Sequence, residues 1–567
     1  MCIRDRYGAD AFLGVVNVIT RTAASLGTAD IRLATGLPKG GDAVQDVDLA
    51  VGFAKNRFDG MAAFRIADGT RSDLPLPATS PGPNIPSYRL SEPLVTQHQH
   101  LGSMVATAKL TYRFSESHKL SAFAYQSTIR RSTEFGPWAQ LVYGDDELGQ
   151  RHAPQVALRQ NMMGLLHEFT PNKWFGLNLT AFYFTGGPTD ADRIDTGSRI
   201  YEIQREFGYR GVQASAEAHA ELVDTLTVIA GVEHIQDREE LPSVLQRLKL
   251  DIGNLRAGDV AESTSRRQGS KSIANSAGYA QASWSALEPL LSLTTGVRYD
   301  HHDIYGNQLS ARLGVVSNPT DWFFLKALYG SAFKAPSPLL LYSVPLQVGD
   351  IVGNPTLRPQ RVQTLETQIG LDLGSKFVAS TGLSYSWLLN KAEFEQQGLN
   401  RVARNVSTMG ALSSETELSF NHKGIIIGYA SFELPLAVRR TGEGGYTQEL
   451  VGSRNVIYPD WIGRAGLSIR SDVLPMQVAS QASLVGPRTA SEMNIREHGE
   501  VYRLPAYGLV DVSLGTAGVR FLSRNRETTL MIKVSNLLGR RGPDPGFAGV
   551  DYPLPGRNVM FQLRQEL

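Results

Sequence analysis

Two pairs of histidines in this 567-residue chain have a spacing that resembles metal-binding patterns. His98 and His100 in "TQHQH" project to one side of an extended chain, which suits a pair of metal ligands. No Cys or carboxylate cluster completes that site, so we expect a solvent-exposed loop pair there. His301 and His302 in "RYDHHD" are adjacent, and a strand would point them to opposite faces. We therefore expect no metal site at either pair.

One aromatic-rich stretch could bind a ligand. "EFGPWAQLVYGDD" (134–146) places Trp138 and Tyr143 beside charged residues in a long irregular segment. Exposed aromatic rings next to charges suit a ligand that has both apolar and polar parts. The same rings could instead order the loop or contact lipopolysaccharide. Trp138 and Tyr143 are thus our candidate ligand-binding residues.

Other chemistries lack support in the sequence. No glycine-rich phosphate loop lies between a strand and a helix, and no serine, histidine and acid set has a supporting context. The charge balance, 56 Lys+Arg against 55 Asp+Glu, is unlike the basic footprint of a nucleic-acid-binding protein. Cys2 is the only cysteine, so no intrachain disulfide forms. We expect no enzyme activity, no cofactor and no nucleic-acid partner.

The dominant pattern along the chain has a period of two residues. In "WFGLNLTAFYF", Phe175, Leu179 and Tyr183 share one face, while Asn178 and Thr180 lie on the other. The final segment, "VMFQLRQEL", alternates in the same way. Strict alternation predicts strands with one apolar and one polar face.

The spacing of the connections predicts how many strands there are. Short polar turns recur mostly at intervals of about fifty residues, enough for two membrane-length strands and one long loop. Ten such turns imply twenty flanking strands, and one more strand at each end gives about 22. The turns lie at 55–58, 115–118, 170–173, 221–224, 287–289, 318–321, 374–376, 421–424, 471–475 and 523–527. The long loops are expected near 71–100, 130–158, 236–272, 342–361, 390–408 and 486–504.

Alternating short turns and long loops are typical of outer-membrane barrels. A closed barrel pairs every backbone polar group within lipid and leaves a polar lumen. No apolar run is long enough for a transmembrane helix. The predicted fold is therefore all-β, a transmembrane antiparallel barrel of about 22 strands, whose lumen is wide enough to need a plug.

The chain also resembles the TonB-dependent outer-membrane receptors. The resemblance rests on "YGADAFLGVVNVIT" (7–20), on 296–342 beginning "GVRYDHHDIYGNQ", on "GNPTLRPQRVQTLETQIGLDL" (353–373), and on the closing 533–563. In that family the first of these motifs ends an N-terminal plug domain inside a 22-stranded barrel. The resemblance thus implies a remnant of a plug at the start of this chain.

The implied domain organisation has three parts. Residues 1–6 are expected to be a non-native leader, 7–24 the C-terminal remnant of the plug, and 25–567 the barrel. Most of the plug, the signal peptide and the TonB-contacting segment would lie upstream, so the fragment would not be competent for uptake. The family usually ends on an aromatic residue, whereas this chain ends on Leu567.

The resemblance implies a receptor in the outer membrane of a Gram-negative bacterium. Its expected activity is TonB-energised uptake of a scarce, bulky nutrient, in first place a ferric siderophore, otherwise cobalamin or an oligosaccharide. Expected partners are the TonB–ExbB–ExbD complex, a small-molecule ligand such as a metal chelate, and outer-membrane lipid or lipopolysaccharide. A passive porin-like channel is the alternative, and a soluble β-rich binding or hydrolytic protein is a third possibility.

Overall fold

A computed structural model describes most of the predicted strands and part of the connections. The described residues are 21–26, 28–39, 43–70, 100–132, 155–193, 200–262, 265–345, 351–398, 400–441, 457–471, 473–491, 494–495, 500–522, 526–540, 542–546 and 551–567. The motif at 7–20, the His98 position and the candidate residues Trp138 and Tyr143 lie outside them.

Twenty-two of the 27 strands in the described part of the chain form one antiparallel sheet that closes on itself. They are β1 Ala29–Pro38, β2 Val44–Lys55, β3 Phe58–Thr70, β4 His100–Arg113, β5 His118–Ser132, β6 Gln155–Asn172, β7 Phe175–Pro188, β8 Tyr201–Val223, β9 Leu226–Leu248, β10 Ser270–Leu287, β11 Leu291–His302, β12 Gly306–Thr320, β13 Phe323–Lys334, β15 Gln360–Asp372, β16 Phe377–Gln397, β17 Asn400–His422, β18 Ile426–Thr441, β19 Ile462–Arg470, β20 Met476–Val485, β23 Tyr507–Thr516, β24 Thr528–Ser535 and β27 Asn558–Glu566.

The remaining elements are short. They are β14 Ile351–Val352, β21 Arg488–Thr489, β22 Arg503–Leu504, β25 Pro543–Asp544, β26 Tyr552–Pro553, α1 Ala23–Leu26, α2 Pro338–Tyr342 and a 3-10 turn at Gly374–Lys376. No helix in the described residues is long and apolar enough to cross a membrane.

The barrel closes between its first and last strands. β1 pairs antiparallel with β27, with Leu33 opposite Leu563 and Asp30 opposite Glu566. Each other barrel strand pairs with its neighbours in chain order. The sequence-based prediction of an antiparallel barrel of about 22 strands is therefore confirmed.

All ten predicted short turns connect consecutive barrel strands at one rim. The turn before β7 shows how its sequence directs the chain: the Asn172 side-chain oxygen accepts hydrogen bonds of 2.9 Å from the backbone N–H groups of Trp174 and Phe175. Asn commonly makes this type of turn because its side chain imitates a backbone carbonyl. The opposite rim carries most of the longer connections.

Two of the predicted loops are shorter than the sequence indicates. β9 runs to Leu248, inside the predicted loop at 236–272, and β16 and β17 continue to Gln397 and Asn400, inside that at 390–408. These segments are rich in charged residues, which favours a loop interpretation, although Leu241, Leu245 and Leu248 of β9 are buried. Backbone pairing beyond the bilayer needs no apolar face, so polar hairpins can extend there.

The two faces of the barrel wall differ in polarity. On β11 the side chains of Val297 and Tyr299 are exposed on the outer face, whereas those of Arg298 and Asp300 are buried on the lumen side. β12 repeats the pattern, with Leu309 outside and Gln308 inside. Apolar residues therefore face lipid and polar residues face the lumen, as the alternation predicts.

The helix α1 lies on the inner wall. Ala23 and Leu26 are buried, and the Cα of Ala23 would lie 3.1 Å from a Cβ placed on Gly52 of β2. Gly52 thus permits the chain to approach the wall just before β1 begins at Ala29. The domain boundaries at 6/7 and 24/25 stay predictions.

Candidate functional site on the lumen wall and outer loops

Arg298 is the centre of a charged network on the lumen wall. Its guanidinium lies between two carboxylates, with Nη2 2.8 Å from Glu233 Oε1 and 2.9 Å from Asp300 Oδ1. Its side chain is 1% exposed. β11 supplies Arg298 and Asp300, two residues apart on the same face, and β9 supplies Glu233. Opposite charges at such contacts offset much of the cost of removing each from water.

Neighbouring polar groups complete the hydrogen bonds of these carboxylates. Asn275 Nδ2 donates to Asp300 Oδ1 at 2.9 Å, and Gln213 Nε2 donates to Glu233 Oε2 at 3.0 Å. The Tyr279 hydroxyl donates to Glu217 Oε2 at 2.7 Å. The network spans β8 to β11 and holds its charged groups in fixed positions, because each of the three carboxylates accepts a hydrogen bond from a positioned donor.

A second lumen patch is acidic. Glu415 on β17 lies directly opposite Glu433 on β18, and both line a 260 Å³ cavity with Glu366, Glu417 and Lys326. Like charges that face each other across strands repel. This acidic patch therefore favours cationic or hydrogen-bond-donating groups in the lumen.

A compact cluster forms where the β11–β12 hairpin meets α2. The Tyr305 hydroxyl donates to the Pro336 carbonyl oxygen, and Leu341 is completely buried. Burial, and secondarily the nearby Tyr342, raises the pKa of the Tyr305 hydroxyl. β13 ends at Lys334, just before this cluster, and Pro338 begins α2, a position where its missing N–H costs nothing.

Hydrogen bonds join the last two long connections of the barrel. Asp551, fully buried, accepts 2.9 Å hydrogen bonds from Asn494 Nδ2 and from the Tyr502 hydroxyl. Asn494 and Tyr502 belong to the connection between β20 and β23, and Asp551 to that between β24 and β27. Burial, and secondarily the Asp551 charge, raises the pKa of the Tyr502 hydroxyl. We call these three residues the loop clamp.

Comparison with known families agrees with this architecture. The chain matches the family model described as TonB dependent receptor-like, beta-barrel, over residues 101–537. The chain belongs to the TonB-dependent receptor family. The members and relatives found are transport receptors, not enzymes.

Solved structures of TonB-dependent receptors share the fold of this chain. The ferric enterobactin receptor PfeA of Pseudomonas aeruginosa superimposes with a TM-score of 0.74 at 17% identity, over 99% of this chain and 84% of that one. The siderophore receptor PirA of Acinetobacter baumannii gives 0.72 at 13% identity, over 99% and 83%. At such identities the likeness concerns the fold alone.

A curated relative is more similar in sequence. The Hemin receptor of Yersinia pestis is 24% identical over 315 residues, which are 50% of this chain and 43% of the relative. The match thus spans less than half the length of that receptor.

The structure tests the predicted site residues of this TonB-dependent receptor only in part. His302 is buried and stacks on Tyr305, whereas His301 is exposed and lies 2.7 Å from Asn307 Oδ1. The expectation that this pair points to opposite faces is confirmed. No group of three or more His, Cys, Asp or Glu in the described residues could hold a metal ion. Trp138 and Tyr143 stay predictions.

Sequence reasoning did not identify the Arg298 network or the loop clamp. The segment "GVRYDHHD" does contain a signal for the Arg298 network. Every second residue, Arg298, Asp300 and His302, is polar, and a strand places these three side chains on one face. The residues between them, Val297, Tyr299 and His301, lie on the other face. Glu233, the partner of Arg298, is 65 residues away, and only the strand register brings it near. Asp551 and Asn494 lie 57 residues apart in different connections, so no local pattern indicates their contact.

Proposed function

We propose that this chain provides the barrel of an outer-membrane receptor for TonB-energised uptake of an iron chelate, in first place a ferric siderophore. The observation that carries the proposal is the closed 22-strand barrel with a charged, ion-paired lumen wall in a chain of this family. Barrels of this size normally hold a plug. A lumen with these properties suits a large hydrophilic substrate whose passage is controlled by a plug.

The expected energy source is the TonB–ExbB–ExbD complex of a Gram-negative cell, acting on a plug domain to which residues 7–24 would belong. Trp138 and Tyr143 are the proposed ligand-binding residues in an outer loop, and outer-membrane lipid the proposed surroundings. The similarity of structures titled as siderophore receptors supports an iron chelate as the cargo.

Haemin is a second candidate substrate. The observation that favours it is the match to a protein named Hemin receptor, more identical in sequence than the structural neighbours quoted above. Haem, like a siderophore complex, is an iron chelate with apolar and anionic parts, so aromatic rings beside charges suit it equally.

The uptake experiment uses the complete gene in a Gram-negative host without its own siderophore and haem receptors. Accumulation of radiolabelled iron is measured from a panel of ferric siderophores and from haemin, in cells with and without TonB. We expect saturable uptake of one chelate that disappears without TonB. Uptake that rises linearly with concentration and ignores TonB would establish the porin-like alternative.

Substitution of the two proposed ligand-binding residues, together with a matched control, tests their assignment. Trp138→Ala and Tyr143→Ala should each weaken chelate binding to whole cells about fivefold, since an aromatic contact contributes on the order of 1 kcal/mol. Trp322→Ala, an exposed tryptophan at the short-turn rim, serves as the control and should bind normally. Equal binding by all three variants would contradict the assignment of the loop.

A further inference from the structure

Two histidine rings meet on the outer face of the barrel, beside the short-turn rim. His118 is the first residue of β5, and His167 lies near the end of β6. Nδ1 of His118 is 3.3 Å from Nε2 of His167, although the two residues are 49 positions apart in the sequence. Leu165, two residues before His167 on the same face of β6, and Leu179, directly opposite His167 on β7, are both exposed leucines. The pair therefore lies on the side of the wall that faces lipid.

Aromatic side chains surround the pair and restrict its rings. The His118 ring stacks on the ring of Phe169, with centroids 4.4 Å apart, and Phe169 is directly opposite His118 in the strand register. The backbone N–H of Phe114 donates to the His118 carbonyl oxygen at 3.0 Å, and the Phe114 ring contacts that of Tyr112. Aromatic rings at the ends of barrel strands mark the boundary between lipid and water. The two histidines thus lie at a depth that water reaches.

The hydrogen bond between the two rings is long. Its 3.3 Å separation exceeds the roughly 2.7–3.2 Å of an ordinary N–H···O hydrogen bond. The facing nitrogens of His118 and His167 have no other hydrogen-bond partner among the residues that the structure describes. A direct bond between the rings therefore uses these two nitrogens poorly.

The separation of the two nitrogens fits a shared metal ion. A tetrahedral Zn²⁺ with Zn–N distances of about 2.0–2.1 Å places two nitrogen ligands about 3.3–3.4 Å apart. Imidazole binds metals through either Nδ1 or Nε2, so the Nδ1 of His118 and the Nε2 of His167 are both suitable. The ring that donates in the metal-free pair moves its proton to its other nitrogen, which leaves two lone pairs for the metal. The strand register does not change.

The ligand set indicates the class of metal. No group of three or more His, Cys, Asp or Glu within the described ranges could hold a metal ion, so the two imidazoles would share the ion with water. Imidazole ligands without a carboxylate suit Cu²⁺, Zn²⁺ and Ni²⁺, whereas Mg²⁺ and Ca²⁺ prefer oxygen ligands. Cu²⁺ is expected to bind more tightly than Zn²⁺.

We propose that His118 and His167 together bind a divalent transition-metal ion, which cross-links β5 to β6 at the short-turn rim. The proposal requires only the folded barrel and is independent of the transported substrate.

The test uses the full chain refolded in non-ionic detergent and freed of metal with EDTA, with correct folding checked by heat-modifiable migration. Zn²⁺ affinity is measured by competition with a chromophoric chelator at neutral pH. The variants are H118N, H167N and the double substitution. H234N is the matched control, since His234 is an exposed histidine whose ring contacts the hydroxyl of Ser276 and not a second imidazole.

We expect each single substitution to weaken Zn²⁺ binding at least tenfold, because one imidazole alone cannot chelate the ion. The double substitution should weaken it little further, and H234N should leave it unchanged. Equal Zn²⁺ affinity of the wild type and the double variant would overturn the proposal, since other groups would then hold the ion. Displacement of Zn²⁺ by an equal concentration of Mg²⁺ would overturn it as well.

A spectroscopic measurement counts the ligands directly. With one equivalent of Cu²⁺, pulsed electron paramagnetic resonance should detect two coordinated imidazoles in the wild type and in H234N, and fewer in H118N and H167N. A spectrum with a single imidazole in the wild type would contradict a shared site.

Urea unfolding of the unsubstituted chain keeps the proposal testable even where a variant fails to fold. Zn²⁺ should raise the midpoint of the wild type, because a ligand of the folded state stabilises it, and Mg²⁺ should not. In EDTA, H118N and the wild type should unfold at similar urea concentrations. If H118N has the lower midpoint in EDTA and Zn²⁺ shifts neither protein, the pair is a structural hydrogen bond and the proposal fails.

Discussion

Arg564, on the last barrel strand, binds Asp30 on the first, with Nη2 2.6 Å from Oδ2 and Nε 3.0 Å from Oδ1. The contact joins two residues 534 positions apart in the sequence. It adds a charge-assisted, two-point bond to the backbone ladder between β1 and β27. The seam of the barrel is thereby fixed by side chains as well as by backbone.

The first prediction concerns this seam. Arg564→Gln should lower the free energy of unfolding by about 1–2 kcal/mol, since it leaves the largely buried Asp30 carboxylate with a weaker donor. Arg21→Gln is the control, because Arg21 also binds Asp30 but is half exposed, and its contribution should be about 0.5 kcal/mol or less. Urea titration of the refolded chain measures both, and equal effects would contradict the special role of Arg564.

The second prediction concerns the buried charges of the lumen wall. Arg298→Gln leaves Asp300 and Glu233 close together without a cation, and should cost about 3–5 kcal/mol. Lys533→Gln removes a cation whose 3.4 Å contact with Asp511 is partly solvated, and should cost less than about 1 kcal/mol.

A further variant separates charge from packing at that site. Asp300→Asn combined with Arg298→Gln should recover part of the lost stability, because it removes one of the two uncompensated carboxylates. If the double variant is as unstable as Arg298→Gln alone, lost packing and not lost charge explains the effect.

The third prediction concerns the two faces of one strand. Leu383 of β16 is an exposed outward residue, and Ser384 faces the lumen, where it lies 2.7 Å from the hydroxyl oxygen of Ser413. Leu383→Arg should destabilise the barrel in lipid vesicles by about 2–4 kcal/mol, the cost of a cation near the bilayer midplane. Ser384→Arg should be tolerated, because Glu366 lies directly opposite it on the lumen side. Similar losses for both would contradict the assignment of the faces.

The fourth prediction is a pH dependence at the loop clamp. The Tyr502 hydroxyl has a raised pKa in the folded chain, whereas in the unfolded chain its pKa is about 10. The folded state therefore keeps its proton when the unfolded state loses it. The stabilisation is complete below about pH 10 and is lost as the pH rises through the higher folded-state pKa.

Limited proteolysis of the two connections at increasing pH measures this effect. We expect cleavage to increase above about pH 10 in the wild type, and Asp551→Asn to increase it already at neutral pH. Asp460→Asn, which alters a largely exposed pair with Arg503, is the control and should be cleaved like the wild type. A pH profile that Tyr502→Phe leaves unchanged would show that another group controls the opening.

The sequence predicts the repeating part of this fold well. Alternation and turn spacing predict the number of strands, their order and the face of the sheet on which each side chain lies. They do so because each hairpin is local in the sequence and successive residues of a strand point to opposite faces. They fail at the outer ends of β9, β16 and β17, where charged residues are frequent and favour a loop interpretation.

The charged contacts of the lumen wall could not be predicted in the same way. Glu233 and Arg298 meet because β9, β10 and β11 pair in a particular register, and that register is set by turns that carry no information about the charges. Asp551 and Asn494 meet across two separate connections. Contacts of this kind depend on how the strands and connections are arranged around the closed barrel. A single sequence indicates the local hairpins but not that arrangement.

The antiparallel pairing of β1 with β27 limits how a barrel of this kind can change in size. An antiparallel seam requires an even number of strands, since the first and the last must run in opposite directions. Gain or loss of a single strand would force a parallel junction, with both its register and its end contacts altered. Evolution or engineering of the pore diameter must therefore proceed by whole hairpins, two strands at a time.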